Sequence, residues 1–199
     1  MEYEFDGNTL KIDKELSDLD NFVIEFVKLL DKCNIKYVII SGYPAIFFGR
    51  SRATEDVDMF IEKIPKEKFL ELWEASKKDF DCIITSDPDD AYNYLAENMA
   101  IRFAGKGFFE PNMEIKFADD ETDFYSMKNL IEVKCSGSVI KMSPFEMNIA
   151  YKLFMGSEKD IEDAKHLYKV LKEIINKNEL NVLFLKLRVK KEIISKLGD

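Results

Sequence analysis

Two carboxylates stand close together in the first half of the chain, where Asp56 and Asp58 are separated by one residue in the segment DVDMFI. This apolar segment predicts a strand, and because side chains alternate along a strand, both carboxylates should point to one face. At about 5 Å two such charges repel by about 3 kcal/mol when the effective dielectric is near 20. A divalent cation such as Mg²⁺ or Mn²⁺ would compensate them, since hard oxygen ligands suit these ions. Arg50 and Arg52 offer the alternative of a local cluster of salt bridges.

An apolar strand and a tight turn precede the acidic pair. Residues 37–40, YVII, are apolar and largely β-branched, which predicts a buried strand. Ser41 and Gly42 end this strand and open a short apolar helix at 45–48, which Gly49 can close. The sequence therefore predicts strand, turn, helix and strand in succession, with the acidic pair on the last strand.

Over 37–62 this order resembles the signature of the DNA polymerase β-like nucleotidyltransferase superfamily, in which a strand, a Gly-Ser or Gly-Gly turn and a short helix lead to a strand with Asp-x-Asp. The segment RATEDVD at 52–58 is similar to the minimal nucleotidyltransferases and the abortive-infection toxin branch. The resemblance implies an α+β fold, a mixed sheet flanked by helices. It also implies metal-dependent transfer of a nucleoside monophosphate from a nucleoside triphosphate to a hydroxyl group.

The same resemblance implies which residues form the site. Asp56 and Asp58 would be catalytic metal ligands, and Glu114, in the apolar-acid-apolar pattern MEI, would be the third carboxylate. The alternative for Glu114 is a solvent-facing pair with Lys116. The nucleotide phosphates would be bound by a group of small and basic residues, with Thr54 in a secondary role: Ser41, Gly42, Arg50 and Arg52.

A second resemblance lies in the segment KLFMGSEKDIED at 152–163. Abortive-infection type nucleotidyltransferases carry a Lys on one helix and a Lys-Asp start to the next helix. The resemblance implies that Lys152 contacts the triphosphate or the acidic cluster, and that Asp160 and Asp163 orient it. Two alternatives stand beside this, because Asp160 is also suited to capping a helix N-terminus and Asp163 could be a surface acid.

Composition limits the partners and the compartment. The chain has 199 residues and a net charge of −9, and an acidic chain is unsuited to general nucleic-acid binding, DNA included. We found no stretch typical of a membrane span or a signal peptide. Three scattered cysteines favour a reducing, cytoplasmic location. The absence of Gln and the abundance of Lys, Glu and Ile lean toward a thermophilic source.

The acceptor of the transferred nucleotide is left open by the sequence: tRNA, a protein hydroxyl and a small molecule all fit. A partner protein of a toxin–antitoxin pair is also consistent with the resemblance. Two other function classes remain, a catalytically inactive nucleotide- or partner-binding relative, such as an antitoxin-like protein, and an acidic protein whose carboxylates bind metal only. We expect 1–142 to form the nucleotidyltransferase-like core and 143–199 a helical part packed on it.

Hydrophobic periodicity predicts the remaining elements. An apolar stripe from Leu19 to Leu30 indicates a helix, and Trp73 is predicted to lie in the core. The other predicted helices are 65–78, one starting at 88, one starting at 144, 161–175 and 180–197. The other predicted strands are 80–85, 99–103, 113–117 and 138–142, with 124–133 helical or irregular.

Overall fold

The computed structural model describes residues 2–198, which form a nine-stranded mixed sheet flanked by helices. The strands are β1 (Tyr3–Asp6), β2 (Thr9–Ile12), β3 (Tyr37–Ile39), β4 (Asp56–Ile61), β5 (Phe80–Cys82), β6 (Ile101–Gly105), β7 (Asn112–Phe117), β8 (Ile131–Cys135) and β9 (Ser138–Met142). The helices are α1 (Asp18–Lys32), α2 (Tyr43–Phe47), α3 (Lys66–Ser76), α4 (Pro88–Ala96), α5 (Glu121–Lys128), α6 (Phe145–Met155), α7 (Glu158–Val170), α8 (Lys177–Lys186) and α9 (Lys191–Ile194). None of the helices in residues 2–198 is long and apolar enough to cross a membrane.

The three central strands carry the predicted acidic residues. The strand order is β1-β2-β8-β9-β3-β4-β7-β6-β5, so β4 lies between β3 and β7. It runs antiparallel to β3 and parallel to β7. The predicted α+β fold, with these three strands adjacent in one mixed sheet, is confirmed.

Strand register places a row of charged residues on one face of the sheet. Asp58 on β4 is the register partner of Glu114 on β7, which is in turn the partner of Arg102 on β6. Asp56 is the partner of Asn112. Register partners on neighbouring strands point to the same face, so these side chains share one side of the sheet.

The opposite face is apolar and is covered by α1 and α3. Along β4 the half-buried residues alternate with fully buried ones, which is the pattern of a strand with one core face. Phe103 of β6 packs against Phe26 of α1 and Trp73 of α3, with ring centroids 5.6 and 5.9 Å apart. Trp73 is therefore a core residue, as predicted. Ser17 begins α1 with a capping box that includes Asp20.

Three sequence predictions about the later elements are wrong in part. The stretch 124–133, expected to be helical or irregular, is helical at 124–128 as the end of α5, but its last three residues begin β8, whose alternating burial marks a strand between β2 and β9. The single helix expected at 180–197 is divided, because Arg188 adopts a left-handed φ of 57° between α8 and α9. A short 3-10 helix, Ser195–Leu197, follows α9. The helix α7 also begins and ends earlier than expected, at Glu158 and Val170.

Candidate active site

The carboxylates Asp56, Asp58 and Glu114, here called the acid row, lie on the polar face of β4 and β7. Asp58 is half-buried, and burial raises its pKa, with a further contribution from the negative charges of Asp56 and Glu114. Ser41 and Lys152 act in the opposite direction. Burial and the neighbouring carboxylates therefore both disfavour the charged form of Asp58 in the absence of a bound cation.

Neither aspartate has an ion-pair partner among residues 2–198. The Thr54 hydroxyl donates to the backbone oxygen of Asp56 at 2.8 Å and lies 3.3 Å from its Oδ1. The alternative in which Arg50 and Arg52 form salt bridges with the aspartates is therefore wrong. Thr54 instead fixes the start of β4, from which both carboxylates project.

Glu114 has a strong partner of its own. Arg102 donates from Nε to Glu114 Oε2 at 2.7 Å, and its Nη2 lies 2.6 Å from the same oxygen. The alternative pairing of Glu114 with Lys116 is wrong. Within the described part of the chain, no group of three or more Asp, Glu, His or Cys side chains is arranged to hold a single metal ion. The role of Glu114 as a third metal ligand stays a prediction.

The residues around Asp56 and Asp58 fit a divalent cation. Both offer hard oxygen ligands, and neither has an ion-pair partner in the part of the chain that the structure describes. The side chain of Asn112, the register partner of Asp56, is buried, and its Oδ1 accepts no hydrogen bond. An uncompensated pair of carboxylates beside an unpaired amide oxygen is a donor set that suits Mg²⁺ or Mn²⁺.

Three basic residues meet at one buried acid, and we call them the cation cluster: Arg50, Arg52 and Lys152, gathered on Asp163. Arg50 Nη1 lies 2.9 Å from Asp163 Oδ1. Arg52 donates from Nε and Nη2 to the two carboxylate oxygens, each at 3.1 Å. Lys152 Nζ lies 2.8 Å from Oδ2. Asp163 is fully buried, so the alternative of a surface acid is wrong.

Asp160 holds Lys152 from a second direction. Lys152 Nζ donates to Asp160 Oδ1 at 3.0 Å, and the Ser157 hydroxyl, at the N-cap of α7, donates to the other oxygen of Asp160. Burial opposes the change, but the hydrogen bonds from Ser157 and Lys152 lower the pKa of Asp160. Asp160 therefore lies in the N-terminal cap of α7 and also binds Lys152.

The turn between β3 and α2 brings the cation cluster close to the backbone. Ser41 has a left-handed φ of 63°, which is strained for a residue with a side chain. A Cβ at Gly42 would overlap the Arg52 guanidinium, so any larger residue here would displace Arg52 from its position. Gly42 was predicted to contact a phosphate; in this structure the Arg52 guanidinium lies against it instead.

A cavity of about 80 Å³ opens between the turn and α6. Ser41 and Lys152 line it, together with Phe60 of β4 and with Asn148 and Tyr151 of α6. The structure therefore brings Ser41 and Lys152, which are far apart in sequence, to one cavity. Sequence reasoning missed Asn148 and Tyr151, although their spacing from Lys152 places all three on one side of the helix.

Sequence comparisons give no assignment, because no family model and no curated protein matches this chain. Solved structures do match. The chain is similar to an antigenic nucleotidyltransferase-like protein from Paracoccidioides brasiliensis, with 16% identity, a TM-score of 0.54, and coverage of 89% of this chain and 90% of that one. This chain has the nucleotidyltransferase fold.

A second similarity extends over nearly the whole of another nucleotidyltransferase-fold protein. The solution structure of the antibiotic-resistance factor ANT(2'')-Ia shows 15% identity and a TM-score of 0.53, covering 90% of this chain and 97% of that chain. A crystal structure of ANT(2'')-Ia in complex with adenylyl-2''-tobramycin gives 13% identity and a TM-score of 0.52, with coverage of 86% and 98%. At these identities the similarity establishes the fold alone.

Proposed function

We propose that this protein is a metal-dependent nucleotidyltransferase, which moves a nucleoside monophosphate from a nucleoside triphosphate to an acceptor hydroxyl. One observation carries the proposal: Asp56 and Asp58 share a sheet face without an ion-pair partner among residues 2–198, and Ser41 and Lys152, which act on the charge of Asp58, line one cavity. The uncompensated carboxylates match a metal ion, and the positive charge of Lys152 matches the phosphates of a nucleotide. The nucleotidyltransferase fold supports this reading.

Asp56 and Asp58 would hold Mg²⁺ or Mn²⁺, and Glu114 would complete the ligand set. When bound, the metal would stabilise the negative charge that develops at the α-phosphate and lower the pKa of the acceptor hydroxyl. The role of the protein is to hold the carboxylates on one face of the sheet. The register of β4 and β7 aligns Asp58 with Glu114 on this face.

Lys152 would contact the triphosphate. An ammonium group has three N–H donors; Asp160 accepts one of them, and Asp163 Oδ2 forms an ion pair with the same nitrogen at 2.8 Å. The third remains for a phosphate oxygen in the cavity that Lys152 lines. Arg50 and Arg52 would add positive charge behind Lys152, while Ser41 and Gly42 would shape the turn against which the phosphates lie.

A small molecule is the acceptor that we propose. The net charge of −9 is unfavourable for a polyanion such as tRNA. The ANT(2'')-Ia crystal structure holds adenylyl-2''-tobramycin, the product of transfer to a small-molecule hydroxyl. Membership of the abortive-infection branch, with a partner protein, is a narrower proposal that rests on the segments at 52–58 and 152–163 alone.

The test is release of pyrophosphate. The purified protein is incubated with each nucleoside triphosphate, Mg²⁺ and separate fractions of a cell extract: small molecules, total tRNA and proteins. We expect pyrophosphate and a nucleotide adduct, found by mass spectrometry, with the small-molecule fraction, and neither with Asp58→Asn. An adduct on tRNA or protein would keep the enzyme class and replace the acceptor. Mg²⁺-dependent nucleotide binding without pyrophosphate in any fraction would favour the catalytically inactive relative.

A further inference from the structure

Arg102 is the basic residue at the end of the row of charged side chains across the sheet. The side chains of Asp58, Glu114 and Arg102 stand on three adjacent strands in consecutive register. Arg102 places two N–H groups on a single oxygen of Glu114, at 2.7 and 2.6 Å. A guanidinium stays protonated in proteins, so Arg102 keeps its positive charge. Arg102 was not among the residues that the sequence singled out.

The row also has two distinct sides. Ser41 and Lys152 lie on the β3 side of Asp58, whereas Glu114 and Arg102 lie on the β7 and β6 side. This step rests on the proposed function. In an in-line displacement the leaving pyrophosphate and the attacking hydroxyl lie on opposite sides of the phosphorus. With the triphosphate at Lys152, the acceptor approaches from the side of Glu114 and Arg102.

The ion pair changes what the third carboxylate can do. Glu114 shares a face with Asp56 and Asp58, yet within residues 2–198 no three acidic side chains are close enough to hold one ion. Arg102 engages Oε2 of Glu114, and its positive charge opposes the approach of a cation to this carboxylate. The side chain of Arg102 is 44% exposed, so a bound metal or acceptor could displace it without disturbing the core.

We propose that Arg102 is a positioning residue that competes with a divalent cation for the Glu114 carboxylate. In the free protein the competition leaves Asp56 and Asp58 as the working ligands and weakens metal binding on the acceptor side. Once the guanidinium moves away, Glu114 becomes the third ligand. The strength of the Arg102–Glu114 ion pair thereby sets the metal concentration at which the site is half occupied.

The experiment is a titration of the full chain with Mn²⁺, followed by the electron paramagnetic resonance signal of the free ion. Arg102→Ala should bind Mn²⁺ about tenfold more tightly than the parent, as expected for loss of one positive charge at the site. Arg102→Lys keeps the charge without two bonds to one oxygen, and should lie between them. Lys116→Ala removes a positive charge from the same strand face without touching Glu114, and should have a much smaller effect.

The double variant Arg102→Ala with Glu114→Gln tests whether the gain in Mn²⁺ affinity depends on the Glu114 carboxylate. We expect it to lose the gain of Arg102→Ala, because the freed carboxylate is no longer present. An unchanged affinity in Arg102→Ala and Arg102→Lys would overturn this inference while leaving the proposed function intact, and so would a gain that persists in the double variant. If neither the parent nor any variant binds Mn²⁺, with or without a nucleoside triphosphate, the metal site of the proposed function fails as well.

Discussion

The acid row and the cation cluster lie on either side of one turn and differ in how their charges are compensated. In the cation cluster, Arg50, Arg52 and Lys152 share the fully buried Asp163, and Asp160 holds Lys152 from outside. In the acid row, Asp56 and Asp58 have no basic partner in the described residues.

This difference separates the contributions of the two regions. The cation cluster joins the loop after α2 to α6 and α7, so its ion pairs hold parts of the fold together. In the acid row only Glu114 makes an ion pair, with Arg102 on the neighbouring strand, whereas Asp56 and Asp58 place like charges side by side. Charges that a fold retains without a structural partner are expected where a ligand binds. We therefore expect changes in the cation cluster to lower stability, and changes at Asp56 and Asp58 to leave it equal or higher.

The largest effect is expected from Asp163→Asn. It leaves three buried or half-buried cations without their shared anion, and breaking a buried ion pair in this way costs about 3–5 kcal/mol. Urea unfolding of the metal-free protein measures the loss. Glu162→Gln on the same helix is the control, since it breaks an exposed pair with Lys165 and should cost about 1 kcal/mol or less. An equal loss in both variants would show that Asp163 does not organise the cluster.

A smaller effect is expected from Gly42→Ala. The new methyl group would displace the Arg52 guanidinium, and the cost is that of its bonds to Asp163, about 1–3 kcal/mol. Gly105→Ala is the matched control, because its nearest neighbour would lie 3.8 Å away in ordinary contact. Urea unfolding compares the two. Equal stability of both variants would mean that Arg52 finds another position at no cost.

The smallest effect, of opposite sign, is expected from Asp58→Asn. The pKa of Asp58 is raised by burial and then by its acidic neighbours, above the usual value of 3.8. The native state therefore binds more protons than the unfolded state in that window, and the contribution of Asp58 to stability falls as the pH rises through it. At pH 7 the variant should gain up to about 1 kcal/mol in chelator. The gain should vanish below about pH 4, where the carboxyl is protonated in both states.

Asp20→Asn provides the contrast. Burial opposes the change, but bonds from Lys14, Ser17 and Tyr43 lower the pKa of Asp20. Its contribution is present above its unfolded pKa and is lost as the pH falls through its lowered folded pKa. Urea unfolding should show Asp20→Asn less stable than the parent at pH 7 and also at pH 4, because both pH values lie above the usual pKa of 3.8. A loss in Asp58→Asn of the same size as in Asp20→Asn would contradict the difference between the two regions.

The sequence was most informative where structure depends on near neighbours. The order strand, turn, short helix and strand over 37–61 follows from apolar runs and one Ser-Gly turn. The shared face of Asp56 and Asp58 follows from the two-residue period of a strand. The fold class could be predicted because this local order is specific.

The partners of the charges could not be predicted in the same way. Arg50 and Asp163 are separated by 113 residues, and Arg102 meets Glu114 only through the register of β6 and β7. Register depends on the packing of the whole sheet, so spacing in the sequence gave no signal. The break after α8 was missed for a related reason, because Arg188 takes a left-handed conformation without a Gly or Pro to indicate it.

The central claim is that Asp56 and Asp58 are ligands of a metal–nucleotide complex and hold no structural ion pair. The most direct test compares the melting temperature of the parent with that of the double variant Asp56→Asn with Asp58→Asn. In chelator the double variant should melt at the same temperature or higher. With Mg²⁺ and a nucleoside triphosphate together, the parent should gain about 2.7 kcal/mol at a hundredfold excess over Kd, and the double variant should gain nothing. A double variant that melts far below the parent in chelator would contradict the claim.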